Sequence, residues 1–154
     1  WSSDVCSSDL KWLQIMETYE SGNHVYHTTM PTDALKTLRN VMKETQSIGF
    51  EKLKAAQIEL GSKVRALLVS RGFDSVAAPG FQSPCVVVSY TTDPEIQSGK
   101  KFINVGLQTA AGVPLQCDEG PEFRTFRIGL FGLEKLQNID RTIKHLEHAL
   151  NTMS

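Results

Sequence analysis

Arg127 is the side chain of this 154-residue chain whose type and setting best suit substrate binding. It stands between Phe126 and Ile128 in the motif FRIGLFG, which predicts a strand that is buried on at least one face. An unpaired buried guanidinium costs several kcal/mol, so an arginine at this place needs an anion. Its planar fork suits a carboxylate, which it binds through two parallel hydrogen bonds. Arg127 is therefore either a clamp for a substrate carboxylate or a structural arginine paired with a core Asp or Glu.

A second candidate is the segment YHTTMP, Tyr26 to Pro31, which concentrates hydroxyl groups and an imidazole. Residues 24–30 are β-prone because of their Val, Tyr and Thr content. Thr32 and Asp33 then predict a helix start, with a capping residue followed by an acidic first turn. Side-chain and backbone donors at such a place can bind a phosphate. The alternative interpretation is an ordinary strand-to-helix junction.

Other kinds of reactive site are not indicated. His24 with His27, and His145 with His148, are spaced three apart but have no Cys or carboxylate partners at metal-ligand spacing. We therefore expect no metal site. The sequence also has neither a nucleophile elbow nor a glycine-rich phosphate loop before a helix.

Charge and composition narrow the class of protein. Sixteen Lys and Arg oppose 17 Asp and Glu, and no basic cluster is present, so nucleic acid and anionic membranes are not expected partners. No apolar run approaches the roughly 18–20 residues of a membrane span. Three scattered cysteines favour a cytoplasmic protein over a disulfide-bonded secreted one.

The elements that must position these residues change from a helical to a strand period along the chain. Helices are predicted over residues 11–20, 32–46, 50–71, 93–105 and 136–150. Arg71 and Gly72 are expected to end the third of these helices, and Asp93 is expected to cap the fourth. Strands are predicted over residues 73–77, 85–90, 108–111 and 123–130. This order predicts an α+β fold in which helices lie on one face of a small sheet.

The first ten residues, WSSDVCSSDL, differ from the rest of the chain. They have neither an apolar period nor a signal-peptide pattern, and all ten match the translation of a common sequencing-adapter string. We interpret residues 1–10 as an artefactual tail, and a natural N-terminal segment is the alternative. Removing Asp4 and Asp9 changes the balance of 16 basic against 17 acidic residues to 16 against 15. The genuine protein is then expected to continue upstream.

Four segments together resemble the C-terminal part of class V pyridoxal-phosphate aminotransferases, above all the alanine–glyoxylate and serine–pyruvate branch. They are VYHTTMP at 25–31, GFEKLKAAQ at 49–57, GLQTAAG at 106–112 and FRIGLFG at 126–132. The resemblance implies that residues 46–154 form the small C-terminal α+β domain of a fold-type-one enzyme, with a mostly antiparallel sheet. Residues 11–45 would be an arm from a truncated large cofactor domain.

The resemblance also implies roles for single residues. In this family the Arg of the R-I-G motif binds the α-carboxylate of the substrate, which places that role on Arg127. The Tyr and a Thr of the Y-H-x-T motif reach the cofactor phosphate of the other subunit of a homodimer, and these positions match Tyr26 and Thr29. Here Met30 separates Thr29 from Pro31, which departs from the motif's local pattern.

The implied activity is transfer of an amino group between a small amino acid, of the alanine or serine type, and a 2-oxo acid, of the glyoxylate or pyruvate type. Pyridoxal 5'-phosphate is the implied cofactor. The family's Schiff-base Lys lies upstream of the matching segment, so we expect no catalytic residue in this chain and no activity from it alone. The alternative is a non-catalytic small α+β module for ligand binding or dimerisation.

Overall fold

The computed structural model describes residues 3–153, with side chains from Asp9 onward. In that range the helices are α1 (Ser3–Glu20), α2 (Thr32–Ile48), α3 (Phe50–Ser70), α4 (Pro94–Gln97), α5 (Lys100–Asn104), α6 (Leu133–Gln137) and α7 (Ile139–Met153). The strands are β1 (Val86–Tyr90), β2 (Ala110–Ala111) and β3 (Thr125–Gly129). The predicted α+β class is therefore confirmed.

The three strands form one antiparallel sheet in the order β1-β3-β2, so that the FRIG strand β3 lies in the centre. Val87 pairs with Ile128 and Ser89 pairs with Phe126, and all four side chains are buried. Because successive side chains of a strand point to opposite faces, these four residues define the core face of the sheet. The intervening residues of β1 and β3, Arg127 among them, belong to the opposite face.

Helices α3, α4, α5 and α7 supply the other side of this core. The helical residues of the core cluster share an apolar character and near-complete burial, and they are Leu60, Val64, Leu68, Ile96, Phe102, Leu146 and Leu150. Phe126 is the aromatic centre of the cluster, with its ring 5.3 Å from that of Phe73 and 5.4 Å from that of Phe102. Burial of this apolar surface is the main stabilising contribution to the sheet-and-helix layer.

Helix ends follow the chemistry that the sequence indicated. Asp93 caps α4, its carboxylate accepting hydrogen bonds from the N–H groups of Glu95 and Ile96 at 2.7 and 3.3 Å. Arg71 ends α3, and Gly72 follows with a φ of 83°, the left-handed conformation that glycine adopts without a steric cost. The single helix predicted over residues 93–105 is wrong in one respect, because Gly99 at φ 80° separates α4 from α5.

Two strand predictions also need correction. The β-prone segment 24–30 forms no strand, since none of the described residues pairs with it in a ladder. Segment 73–77 is reduced to an isolated bridge between Ser75 and Ser89, beside β1. In both places the residue types were compatible with a strand, but a strand also needs a partner of matching length.

The chain divides into two compact units, residues 1–41 and 42–154, and the division falls within α2. The second unit contains the whole sheet and the core cluster. In the described part of the first unit, Ile15 is the buried apolar residue. The assignment of residues 1–10, 11–45 and 46–154 to a tail, an arm and a small domain stays a prediction.

Candidate functional site

Arg127 is held on the open face of the sheet by β3, the central strand. Its Cα partners are Val88 on β1 and Ala110 on β2. Neighbours Phe126 and Ile128 point into the core and are buried, as their apolar types predicted, while Arg127 itself is half-buried. A strand anchored on both edges and packed on one face gives this guanidinium a rigid base.

The guanidinium of Arg127 has one internal hydrogen bond, in which Nε donates to the carbonyl oxygen of Ala111 at 3.0 Å. Among residues 9–153, no carboxylate forms an ion pair with Arg127 and no hydrogen bond is made by its two Nη groups. The two Nη groups are therefore the part of the guanidinium that can bind a planar anion such as a carboxylate through two hydrogen bonds. By contrast, Arg124 is ion-paired with Glu122 at 2.7 Å.

The GLQTAAG stretch explains how the Ala111 carbonyl reaches Arg127. Gly112 passes so close to β3 that a Cβ there would lie 1.8 Å from the carbonyl oxygen of Thr125. Its N–H donates to the carbonyl of Gln97 at 3.1 Å, which ties the stretch to α4. Only a residue without a side chain permits this approach, so the motif glycine has a packing reason.

A small cavity of about 150 Å³ lies beside this stretch, between Gln97, Gly112, Thr125 and the loop 113–123. The loop is organised by Glu119, whose carboxylate accepts hydrogen bonds from the N–H groups of Leu115 and Cys117. The N–H of Glu119 itself, with those of Cys117 and Leu115, holds the pKa of this carboxyl below its ordinary value. In the sequence, the only sign of this arrangement is the group of acidic residues in a loop that also contains Pro and Gly.

Tyr26 and Thr29 come together in the irregular segment before α2. The Oη of Tyr26 and the Oγ1 of Thr29 are 3.4 Å apart, and both side chains are exposed, Tyr26 with 82% of its surface. Met30, Pro31 and Thr32 follow, and the N–H of Thr32 donates to the carbonyl of Met30 at 2.8 Å. Two hydroxyl groups thus converge on one side of the motif, as a pair of donors to one anionic oxygen requires.

The same segment lines a cavity of about 310 Å³ within the first unit. Its wall includes Trp12 and Tyr19 of α1, and His27 and Met30 of the motif segment. The rings of Trp12 and His27 meet edge to face at 5.0 Å, and the hydroxyl of Tyr19 donates to the carbonyl of Val25 at 3.2 Å. These contacts attach the YHTTMP segment to α1.

The predicted site residues lie in two different units, Tyr26 and Thr29 in the first and Arg127 in the second. Within residues 3–153 no group of three or more His, Cys, Asp or Glu side chains is placed to hold a metal ion. No helix in that range has the length and apolar character needed to cross a membrane.

Comparison with known proteins gives a structural likeness without one in sequence. No family model matches the chain, and no curated protein matches it. Among solved structures it is similar to the crystal structure of an alanine–glyoxylate aminotransferase from Nostoc sp., with a TM-score of 0.67 and 17% identity. The match covers 90% of this chain and 36% of that one, so the chain spans about a third of that structure's length. At this identity the likeness shows that the two share a fold.

Proposed function

We propose that this chain is part of a pyridoxal-phosphate-dependent aminotransferase that moves an amino group between a small amino acid and a 2-oxo acid. Support comes from the shared fold with an aminotransferase and from the four motifs in the expected order. The amino donor is of the alanine or serine type and the acceptor of the glyoxylate or pyruvate type. The complete protein would be a homodimer and would include a large cofactor domain.

The observation that carries the proposal is the state of the Arg127 guanidinium. Its Nε is occupied by the Ala111 carbonyl, and its Nη groups have no partner among the described residues. An arginine oriented by one backbone bond, with its terminal nitrogens free, is preorganised for a bidentate carboxylate. Amino acids and 2-oxo acids share a carboxylate, so one such clamp serves both half-reactions. We therefore assign substrate-carboxylate binding to Arg127.

For the cofactor, the hydroxyl pair of Tyr26 and Thr29 fits a phosphate group. Both groups are exposed and share a hydrogen bond at 3.4 Å. If the donor hydroxyl turns away from this contact, both hydroxyls can donate to a phosphate group. We propose that in the homodimer they donate to the cofactor phosphate of the other subunit. When bound, pyridoxal phosphate supplies an electron sink for the amino-acid α-carbon.

The proposal also predicts what this chain does not do by itself. The family's cofactor lysine lies upstream of the matching segment, so the 154-residue chain is expected neither to retain pyridoxal phosphate covalently nor to transaminate. The chain is incubated with the cofactor, passed through a desalting column and scanned in the visible range. We expect no cofactor absorbance, and a retained band would overturn this part of the proposal.

Arg127 itself is tested by Arg127→Ala in the full-length enzyme. Loss of one charged hydrogen-bonding group should lower kcat/KM for alanine and glyoxylate by about 1.5–3 kcal/mol of transition-state binding, that is, roughly 10- to 150-fold. Arg124→Ala, three residues away and paired with Glu122, is the matched control and should change the kinetics little. Unchanged kinetics in Arg127→Ala would remove the assignment.

The genomic reading frame tests the proposal for the whole protein. Continuous coding sequence upstream of Lys11 that contains the cofactor lysine would support it. A start codon just before Lys11 would instead favour a small non-catalytic module for ligand binding or dimerisation.

A further inference from the structure

The second unit has another cavity, of about 170 Å³, on the core side of the sheet. The cavity opens beside the end of β2. Strand β2 pairs with β3 only at Phe126 and Arg127, so the edge of β3 beyond Arg127 has no partner strand, and residues 108–109 line the cavity there. Its floor is apolar, formed by Val64, Leu107, Ile128, Leu130 and Leu146. Ile128 and Arg127 point to opposite faces of β3, so this cavity is separate from the proposed carboxylate clamp.

The rim of the cavity carries an excess of positive charge. Its charged side chains are Glu134 and Lys135 of α6 and Arg141 of α7, beside His145. Arg141 is paired with Glu134 at 2.5 Å, while Lys135 donates to the carbonyl of Phe131 at 2.9 Å. The two cations and one carboxylate leave one net positive charge at the mouth of the cavity. Such a rim favours an anionic group over a neutral or cationic one.

The wall of the cavity also contains a hydroxyl without a partner. The Oγ1 of Thr109 is buried and forms no hydrogen bond with any described residue. An unsatisfied buried hydroxyl is uncommon in proteins, and a bound polar group is one of the conditions that would satisfy it. Thr109 belongs to the wall formed by residues 107–109, directly beside the uncovered edge of β3.

We propose that this cavity binds a small monocarboxylate with a single aromatic ring, with the ring on the apolar floor and the carboxylate at Lys135 and Arg141. The size agrees, because an apolar protein cavity of about 150 Å³ accepts a benzene ring. The floor supplies the apolar contact, the rim supplies the charge complementarity, and Thr109 supplies a hydrogen bond to a carboxylate oxygen. The site is independent of the aminotransferase proposal, since none of its residues takes part in that function.

Benzoate is the probe, titrated into the methyl- and amide-labelled 154-residue chain and followed by NMR. We expect transferred contacts from the ring protons to the methyl groups of Val64, Leu107 and Leu146, with amide shifts at Thr109 and Gly129. Benzyl alcohol, which has the ring but no charge, should bind roughly ten-fold more weakly. Equal binding of the two compounds would contradict the role of the rim.

Two double variants and one single variant complete the test. Lys135→Gln with Arg141→Gln should weaken benzoate binding roughly ten-fold, whereas Lys100→Gln with Arg124→Gln removes the same charge elsewhere and should not. Thr109→Val keeps the side-chain shape and should weaken binding several-fold. Loss of the benzoate signals in Arg127→Gln, with ring contacts to Ala110 or Thr125, would place the ligand at the carboxylate clamp and overturn the proposal. Absence of any contact to the three floor methyl groups would overturn it as well.

Discussion

The two compact units of this chain differ sharply in how they use apolar residues. In the second unit, Leu60, Val64 and Leu68 of α3 have at most 1% of their surface exposed, and α3 contacts β1, α6 and α7. In the first unit, Ile15 is buried, with 8% of its surface exposed, while large apolar side chains such as Leu13, Met16 and Leu38 are about half exposed. In both units apolar residues recur at helical spacing, so such spacing alone does not make a core.

What differs is the number of partners that each apolar face finds. The stripe of α3 packs on a sheet and on α6 and α7, whereas none of the α2 residues, all of which are described, is buried. Helices gain most of their stability from the packing of an apolar face and little from propensity. We therefore expect the second unit to be the stable part of the chain and the first unit to open more readily. Two predictions test this difference, and two more test single contacts within the second unit.

Limited proteolysis should reveal the largest difference. Tyr26 is 82% exposed in a segment without strand pairing, while Phe102 and Phe126 are fully buried. Cleavage in folded proteins follows local opening, so chymotrypsin should cut after Tyr26 roughly 100-fold or more faster than after either phenylalanine. Mass spectrometry of a time course identifies the first products. First cuts within residues 86–130 would reverse the proposed order of stability.

A pair of Leu→Ala substitutions measures the same difference as free energy. Leu60→Ala removes a fully buried side chain and should lower the free energy of unfolding by about 2–5 kcal/mol through lost burial and a cavity. Leu38→Ala makes the same chemical change at a side chain that is 55% exposed and should stay within about 0.5 kcal/mol. Urea unfolding followed by circular dichroism gives both values. Similar losses in the two variants would mean that α2 is stabilised by packing after all.

Two glycines of the second unit separate close packing from loop flexibility. Gly112→Ala should destabilise by about 1–3 kcal/mol, because the new Cβ would collide with the carbonyl oxygen of Thr125 and the stretch must move. Gly120→Ala is the control, since nothing lies within 4 Å of its added Cβ, and it should change stability by less than about 0.5 kcal/mol. The measurement is the same urea titration. A neutral Gly112→Ala would show that the approach of this stretch to β3 is loose.

Acid sensitivity provides the smallest and most specific test. A hydrogen bond from Lys101 at 2.6 Å, followed by the N–H of Glu95, lowers the pKa of the Asp93 carboxyl. Because the folded-state pKa lies below the unfolded value of about 3.9, the stabilisation is complete above about pH 5 and is lost as the pH falls through the unfolded-state and then the folded-state pKa. Asp93→Asn keeps an acceptor for the cap but removes this dependence.

Urea midpoints of Asp93→Asn and the parent chain, measured between pH 7 and pH 3, should therefore converge in acid. Glu119, whose pKa is also lowered, contributes to the acid loss that remains. Parallel midpoints over the whole range would show that Asp93 titrates alike in the folded and unfolded chain.

Much of the second unit could be predicted from local sequence patterns. The stop of α3 at Arg71 and Gly72, the cap at Asp93 and the strand around Phe126 and Ile128 were all predicted, and all three are present. Each depends on residues close in the chain, where propensity, capping and alternation act directly. The strand expected from the β-prone segment 24–30 is absent, because a strand also depends on distant residues. Its residue types suit a strand, but no described strand pairs with it.

By itself, the sequence determined the residue types of the candidate site, the helix and strand periods, and the position of Arg127 between two core residues. Only the tertiary structure decided the partners of those residues. In it, the Nε of Arg127 donates to the carbonyl of Ala111, and the hydroxyls of Tyr26 and Thr29 lie side by side. The hydroxyl of Thr109 is buried without a hydrogen-bond partner among the described residues. The reason is physical: local patterns select the conformation of a segment, whereas hydrogen-bond partners and burial depend on which distant segments meet it.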